Sequence, residues 1–214
     1  MQTSYGDWLG ERRGQVCVSN LQKNGFDAHW VADLDAARSL VLSMTAAYKS
    51  FGFGGSDTVR MLNIIETLAT EGKTVYDHWR TDLSAQAIME TRKAQLTCDC
   101  FFCSANAIAM TGEIVNVDGV GNRTSAMGFG PARVIIVAGI NKLANDLPGA
   151  LQRIRDVAAP MRAKSLNMKT PCAETGLCSD CHSPQRICRI TTILHRQPML
   201  TQISVVLVNQ AMGY

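Results

Sequence analysis

Arg133-Val134-Ile135-Ile136-Val137-Ala138-Gly139 is the stretch whose reading decides the fold. Its apolar run has no polar alternation, so a strand made from it must be buried on both faces. Strands of that kind belong to parallel sheets covered by helices on either side. Working outward, Ala28–Val31, Phe51–Gly54, Lys73–Tyr76, Phe101–Phe102 and Ile114–Val117 read as further strands. Helical periodicity runs over residues 5–24, with Trp8, Leu9, Val16 and Leu21 among polar neighbours and Asn24-Gly25 as a stop. Asp33 or Asp35 caps a second helix through Ala36, Leu40, Val41 and Met44. Val59–Thr70, Ser84–Lys93 and Leu147–Ala159 complete the set, the last ended by Pro160. Two closing strands, Ile190–Leu194 and Ile203–Val208, are expected to add antiparallel members. Strands alternating with helices give an α/β protein around a mostly parallel sheet.

Composition narrows the partners. With 214 residues, 46% of them hydrophobic, the chain can bury a sizeable core and is most simply one domain. Only 18% is charged, the net charge is +3, and no Lys/Arg run is interleaved with aromatics, so no nucleic acid is expected. The opening Met1-Gln2-Thr3-Ser4-Tyr5-Gly6-Asp7-Trp8 reaches Glu11-Arg12-Arg13 before any apolar stretch, unlike a secretory signal. The longest apolar run, Val134–Ile140, is too short to span a bilayer. The expectation is a soluble cytoplasmic protein with no membrane partner and reduced thiols.

Four of the eight cysteines lie in one turn-rich segment, Cys172, Cys178, Cys181 and Cys188, spaced C-x5-C-x2-C-x6-C. Pro171, Gly176 and Pro184 exclude regular structure, so something other than a backbone ladder must hold the segment. Thiolates on such a loop can bind zinc or an iron–sulfur cluster, although the spacing is neither that of a zinc finger nor of a ferredoxin. Reduced thiols packing a stiff loop, or a disulfide, are the alternatives. Cys98, Cys100 and Cys103 flank a buried strand, where cysteine acts as a small hydrophobe; one reactive thiol there is the alternative.

Gly52-Phe53-Gly54-Gly55-Ser56-Asp57-Thr58 stands at a strand-to-helix junction. Glycines let the backbone approach a ligand, and the free N–H groups of a helix start favour an anion. Asp57 replaces the third glycine of a dinucleotide fingerprint, no Lys-Ser/Thr pair closes a triphosphate loop, and Asp57 can itself cap the helix. Gly52, Gly54, Gly55, Ser56 and Thr58 are therefore candidate ligand residues, with a capped structural turn as the alternative.

The densest polar stretch runs through Ser104, Asn106, Glu113, Asp118, Asn122 and Arg123, with Asn141-Lys142 across the next strand. In an α/β sheet, residues at strand ends facing the crevice are the default ligand set. Ser104, Asn106 and Asn122 can orient an oxygen, and Arg123 or Lys142 can neutralise a carboxylate. Asp118, Gly119 and Asn122 equally suit a hairpin turn. Among the histidines, His78 is placed like a general base or a hydrogen-bonded strand end. His182 lies in the cysteine loop, and His29 and His195 fall in apolar strands.

The segments Leu21–Ala28, Gly52–Ser56, Ser104–Ala107, Gly112–Arg123, Phe129-Gly130-Pro131, Asn141-Lys142 and Thr170-Pro171-Cys172 together resemble the lactate-utilisation (LUD) domain family. The resemblance covers nearly the whole chain and is nearest to compact, single-domain bacterial members. It implies one LUD domain over 1–214, with an N-terminal helical extension over 1–45 and the cysteine-rich loop over 170–189. It also implies a Rossmann-like sheet flanked by helices, similar to the ribose-5-phosphate isomerase and CoA transferase superfamily. There a glycine-rich loop binds substrate phosphate; Asp57 departs from that pattern and points to a smaller organic acid. The isomerases' acid/base residues have no match here.

The family's link to lactate oxidation implies a component of lactate or hydroxy-acid utilisation that binds a small carboxylate. Its larger relatives carry ferredoxin-type cysteine runs that this chain lacks, and the four-cysteine loop could be a reduced form of that electron-transfer function. Such a component is expected to act with redox partner proteins or as a homo-oligomer. The alternatives are an isomerase- or CoA-transferase-like enzyme using Glu113, with His78 as a further catalytic candidate, or a small-acid sensor without chemistry.

Overall fold

The computed structural model describes residues 5–214; residues 1–4, the start of the expected N-terminal extension, lie outside the described residues. In chain order the elements are α1 (Tyr5–Lys23), β1 (Asp27–Val31), α2 (Leu34–Thr45), β2 (Ser50–Phe53), α3 (Asp57–Arg60), α4 (Ile64–Thr70), β3 (Thr74–Asp77) and α5 (Ala85–Ala94). Next come β4 (Cys100–Cys103), β5 (Ala107–Ala109), β6 (Ile114–Asp118), α6 (Asn122–Gly128), β7 (Arg133–Gly139) and β8 (Leu143–Ala144). The chain closes with α7 (Leu147–Arg153), α8 (Ala159–Ser165), α9 (Pro171–Thr175), β9 (Ile190–Leu194) and β10 (Gln202–Val208).

Six strands form one parallel sheet in the order β1-β10-β7-β4-β2-β3. β7 sits near its middle, as its composition requires. Val134, Ile136 and Ala138 point into one core with Cys17, Leu21, Phe101 and Met127. Ile135 and Val137 point into the opposite core with Val41, Phe53, Leu68 and Phe102. Strand alternation thus fills two layers with one apolar run. A second, four-stranded sheet, β8-β5-β6-β9, packs Ala107, Ala109 and Val115 against Ala150 and Ile154.

The strands and most helices fall where the sequence places them, and Asp33 is the cap of α2, accepting from the Ala36 N–H at 2.8 Å. Six local expectations are corrected. In α1 the buried stripe is Gly14, Cys17, Val18 and Leu21, whereas Trp8, Leu9 and Val16 are exposed. Gly14 lies against the Trp30 indole, where any Cβ would collide, and that contact rotates the helix. The helix expected over Val59–Thr70 is two. Asn63 is left-handed (φ 51°), and Arg38 donates to the Leu62 and Asn63 carbonyls at 3.0 Å each, taking acceptors that a continuous helix would use.

Pro160 does not end its helix. The chain passes through a π-helical segment, Ile154–Ala158, and continues as α8 to Ser165; the widened turn accommodates the proline's missing N–H and its ring. Strand β10 is parallel, inserted between β1 and β7, because the long excursion after β7 leaves room for a crossover. Of the two closing strands β9 alone is antiparallel, to β6 in the second sheet, and His195 lies just beyond it, exposed rather than in an apolar strand. Finally, Asp118–Asn122 is not a hairpin turn. Asp118 Oδ2 accepts from the Thr124 N–H at 2.9 Å and starts α6.

Among the described residues no helix is long and apolar enough to cross a membrane.

Candidate functional site

A cavity of about 350 Å³ opens at the carboxyl ends of the parallel strands. Each of five strands delivers lining residues through the loop that leaves it. These are Gly55–Thr58 after β2, His78 and Trp79 after β3, Ser104–Asn106 after β4, Lys142 after β7, and Gly213 with Tyr214 after β10. This is where an open parallel sheet places its crevice, because backbone pairing ends there while the helices diverge.

The glycine loop is built differently from the anion site expected of it. Helix α3 is a single turn, so it has little dipole, and Ser56 caps it by accepting from the Val59 N–H at 3.3 Å. Gly55 is glycine because a Cβ there would meet the Trp79 indole. Gly52 and Gly54 do not line the cavity; both press against Phe101. Asp57 pairs with Arg162 at 3.0 Å, and the Arg162 guanidinium stacks 4.7 Å from the Trp79 ring centre. Arg60, held by Asp77 at 2.8 Å, stacks on the same ring at 4.7 Å.

The polar stretch converges as expected, with one exception. Arg123 reaches Asp118 Oδ1 at 2.6 Å, the Val117 carbonyl at 2.7 Å and Asn106 Oδ1 at 3.1 Å. Asn106 is itself clamped, accepting from the Val117 N–H at 2.8 Å. Asn122 donates to Gln95 Oε1 at 3.2 Å. Glu113 does not join them: it lies at the β5–β6 turn, bonded to the Thr111 hydroxyl, and does not line the cavity.

Lys142 is the unusual member. Its side chain is 4% exposed, and Nζ donates to Thr58 Oγ1 at 2.8 Å and Ser104 Oγ at 2.9 Å. Thr58 in turn donates to the Met212 carbonyl at 3.2 Å, and Gly213 packs so closely on Thr58 that a Cβ would collide. Burial lowers the Lys142 pKa to about 7; the Arg153 and Arg123 charges act in the same direction, while Asp57 and Cys103 oppose them. His78 is also buried, beside Gln95 Nε2 at 2.9 Å, and burial followed by the Arg92 charge lowers its pKa. Burial thus favours the neutral form of both groups.

The cations and carboxylates on the lining do not match. Four cationic side chains, Arg92, Arg123, Lys142 and Arg162, share the lining with two carboxylate side chains, Asp57 and Asp118. Those two carboxylates are taken by Arg162 and Arg123. Arg92 and Lys142 have no carboxylate partner among the described residues, and the buried Arg92 Nε has no hydrogen-bond acceptor at all. Trp79, Arg92, Arg162 and Tyr214 were not singled out by sequence. Trp79 directly follows His78, but a lone arginine on an amphipathic helix carries no local signal.

The cysteines divide into two environments. Cys98, Cys100 and Cys103 are buried, and burial pushes the Cys98 and Cys103 thiols up to about 12, so they pack as small hydrophobes rather than react. Cys172, Cys178, Cys181 and Cys188 line a separate cavity of about 30 Å³, and Cys188 also borders the large one. Their donor chemistry suits zinc or an iron–sulfur cluster. Yet among the described residues no group of three or more His, Cys, Asp or Glu side chains converges to hold a metal ion. The loop is instead clipped by arginines: Arg186 donates to the Cys181 and Cys188 carbonyls at 2.8 and 2.7 Å, and Arg189 to the Pro184 carbonyl at 2.8 Å. The four thiols face one small cavity without converging as a metal-ligand set.

Comparison with known proteins follows the same outline. The sequence matches the LUD domain over residues 15–208. A solved structure of a DUF162 family protein from Deinococcus radiodurans is 14% identical and superposes with a TM-score of 0.54, covering 93% of this chain and 98% of that one. Among curated proteins none matches.

Proposed function

The chain belongs to the LUD domain family, and from that premise we propose that its cavity binds a small organic acid as part of lactate or hydroxy-acid utilisation. The observation that carries this reading is the excess of cation over carboxylate on the cavity wall. Lys142 and the orphaned Arg92 Nε–H lack a carboxylate of the protein's own. The Arg92 guanidinium borders the cavity with no carboxylate of the protein's own, so its charge is left for an anionic ligand. A carboxylate against Arg92 would leave the second carbon of the acid, with its hydroxyl or carbonyl oxygen, for Ser104, Asn122 and Lys142. The paired Arg123 and Arg162 shape the wall and hold its loops in place. A cavity of about 350 Å³ suits a ligand of this size or modestly larger.

Two earlier alternatives lose ground. A carboxylate nucleophile of the CoA-transferase kind needs Glu113 at the site, and Glu113 lies outside it. Electron transfer through the cysteine loop needs a centre its thiols do not converge to hold. The test is thermal unfolding with lactate, pyruvate and acetate. At a hundredfold excess over Kd a bound acid stabilises by about 2.7 kcal/mol. Stabilisation by lactate or pyruvate, reduced in an Arg92→Gln variant, supports the reading; no response to either acid would sink it.

A further inference from the structure

Resting on the carboxylate reading above, we propose that the acid is a 2-oxo acid and that Lys142 Nζ adds to its carbonyl carbon, forming an imine. Three features of the cavity bear on this. Among the described residues Lys142 is the only lysine on its lining; the residue is 4% exposed, and its amine is held at a fixed point by Thr58 and Ser104. Those hydroxyls accept from Nζ without offering the negative charge that would lock it as an ammonium. Asp57, whose charge would favour protonation, is bonded to Arg162 rather than to Lys142. The Arg153 and Arg123 guanidiniums favour the neutral amine. A desolvated lysine beside other cations is how a protein makes an amine nucleophilic at neutral pH.

The step balances without an oxidant. The nitrogen lone pair forms the C–N bond, both amine protons leave with the carbonyl oxygen as water, and a C=N bond remains. Ser104 Oγ, in contact with Nζ, is placed to relay a proton to the departing oxygen, and His78 lines the same cavity. Arg92 would hold the carboxylate so that the carbonyl faces Nζ. A 2-hydroxy acid can occupy the same place but has no carbonyl to attack, so the two acids should differ in chemistry and not only in affinity.

The experiment is to incubate the full chain with pyruvate, or with lactate as control, add borohydride, and weigh the protein. Borohydride delivers hydride to the imine carbon and solvent supplies a proton to nitrogen. The expected product gains the mass of pyruvate less one oxygen atom, mapped by peptide analysis to Lys142. Lactate gives no product, and neither does a Lys142→Arg variant, which removes the nucleophilic amine while leaving a long side chain in its place. Calorimetric titration of the same acids runs in parallel. Pyruvate binding with no adduct, or an adduct on another lysine, overturns the imine and leaves the carboxylate reading standing. Neither binding nor adduct overturns both.

Discussion

Two corners of one cavity treat a buried cation in opposite ways. At the α6 corner, Arg123 is enclosed by Asp118, the Val117 carbonyl and Asn106, and the pair's side chains are each only 11% exposed. At the β7 corner, Lys142 is buried just as deeply but meets two neutral hydroxyls. The first arrangement is closed: every charge has its opposite, so it contributes shape and rigidity and has nothing left for a ligand. The second is open, and its cheapest resolution without ligand is to lose a proton. Burial alone marks a residue as unusual; the identity of its partner decides whether it is scaffold or chemistry.

The largest effect should come from breaking the closed corner. Asp118→Ala leaves Arg123 buried without its partner and removes the acceptor for the Thr124 N–H, costing about 3–5 kcal/mol in chemical denaturation. The same operation at the open corner should run the other way. Lys142→Met removes a buried amine that has no counter-ion, so stability is expected to hold or rise by about 1 kcal/mol while acid binding falls at least tenfold. A loss of 3 kcal/mol or more in that variant would show that Lys142 is scaffold after all.

The pH dependence sharpens the contrast. The Lys142 pKa is lowered from 10.5 to about 7 in the folded chain, so between those values the unfolded chain holds the extra proton. Stability must then rise with pH across that window, and the gain is complete only above the unfolded value. Burial raises the Cys17, Cys98, Cys100 and Cys103 thiols above their ordinary range and acts oppositely at higher pH. Denaturation at pH 7 and 9, comparing wild type with Lys142→Met, isolates the lysine: wild type should gain relative to the variant. The smallest effect belongs to the rim. Arg162 and Asp57 are 21% and 37% exposed, so Arg162→Ala should cost under about 1 kcal/mol, read in the same assay.

How much of this the sequence disclosed depended on the range of the forces involved. The parallel sheet was legible because Val134–Ala138 can only be buried on both faces, and the cavity because strand-end loops converge wherever such a sheet forms. Ser104, Asn106, Asn122, Arg123 and Lys142 all reach it, but nothing local distinguished Lys142 from Arg123, since Asp118 pairs through the α6 turn. That turn read as a hairpin. The second sheet was hidden in strands as short as Leu143–Ala144, below any periodicity. Pro160 read as a terminator because a π-helical segment leaves no local signature. Glu113 looked catalytic by its place in a polar run, whereas the β5–β6 turn carries it away from the crevice.

The most direct measurement is an NMR titration of the Lys142 side chain, assigned by its absence in Lys142→Arg. A midpoint near pH 7 is expected, moving upward when a carboxylate ligand fills the cavity. A midpoint that stays near the ordinary 10.5 would mean the amine is charged at neutral pH, and the distinction between the two corners would be wrong.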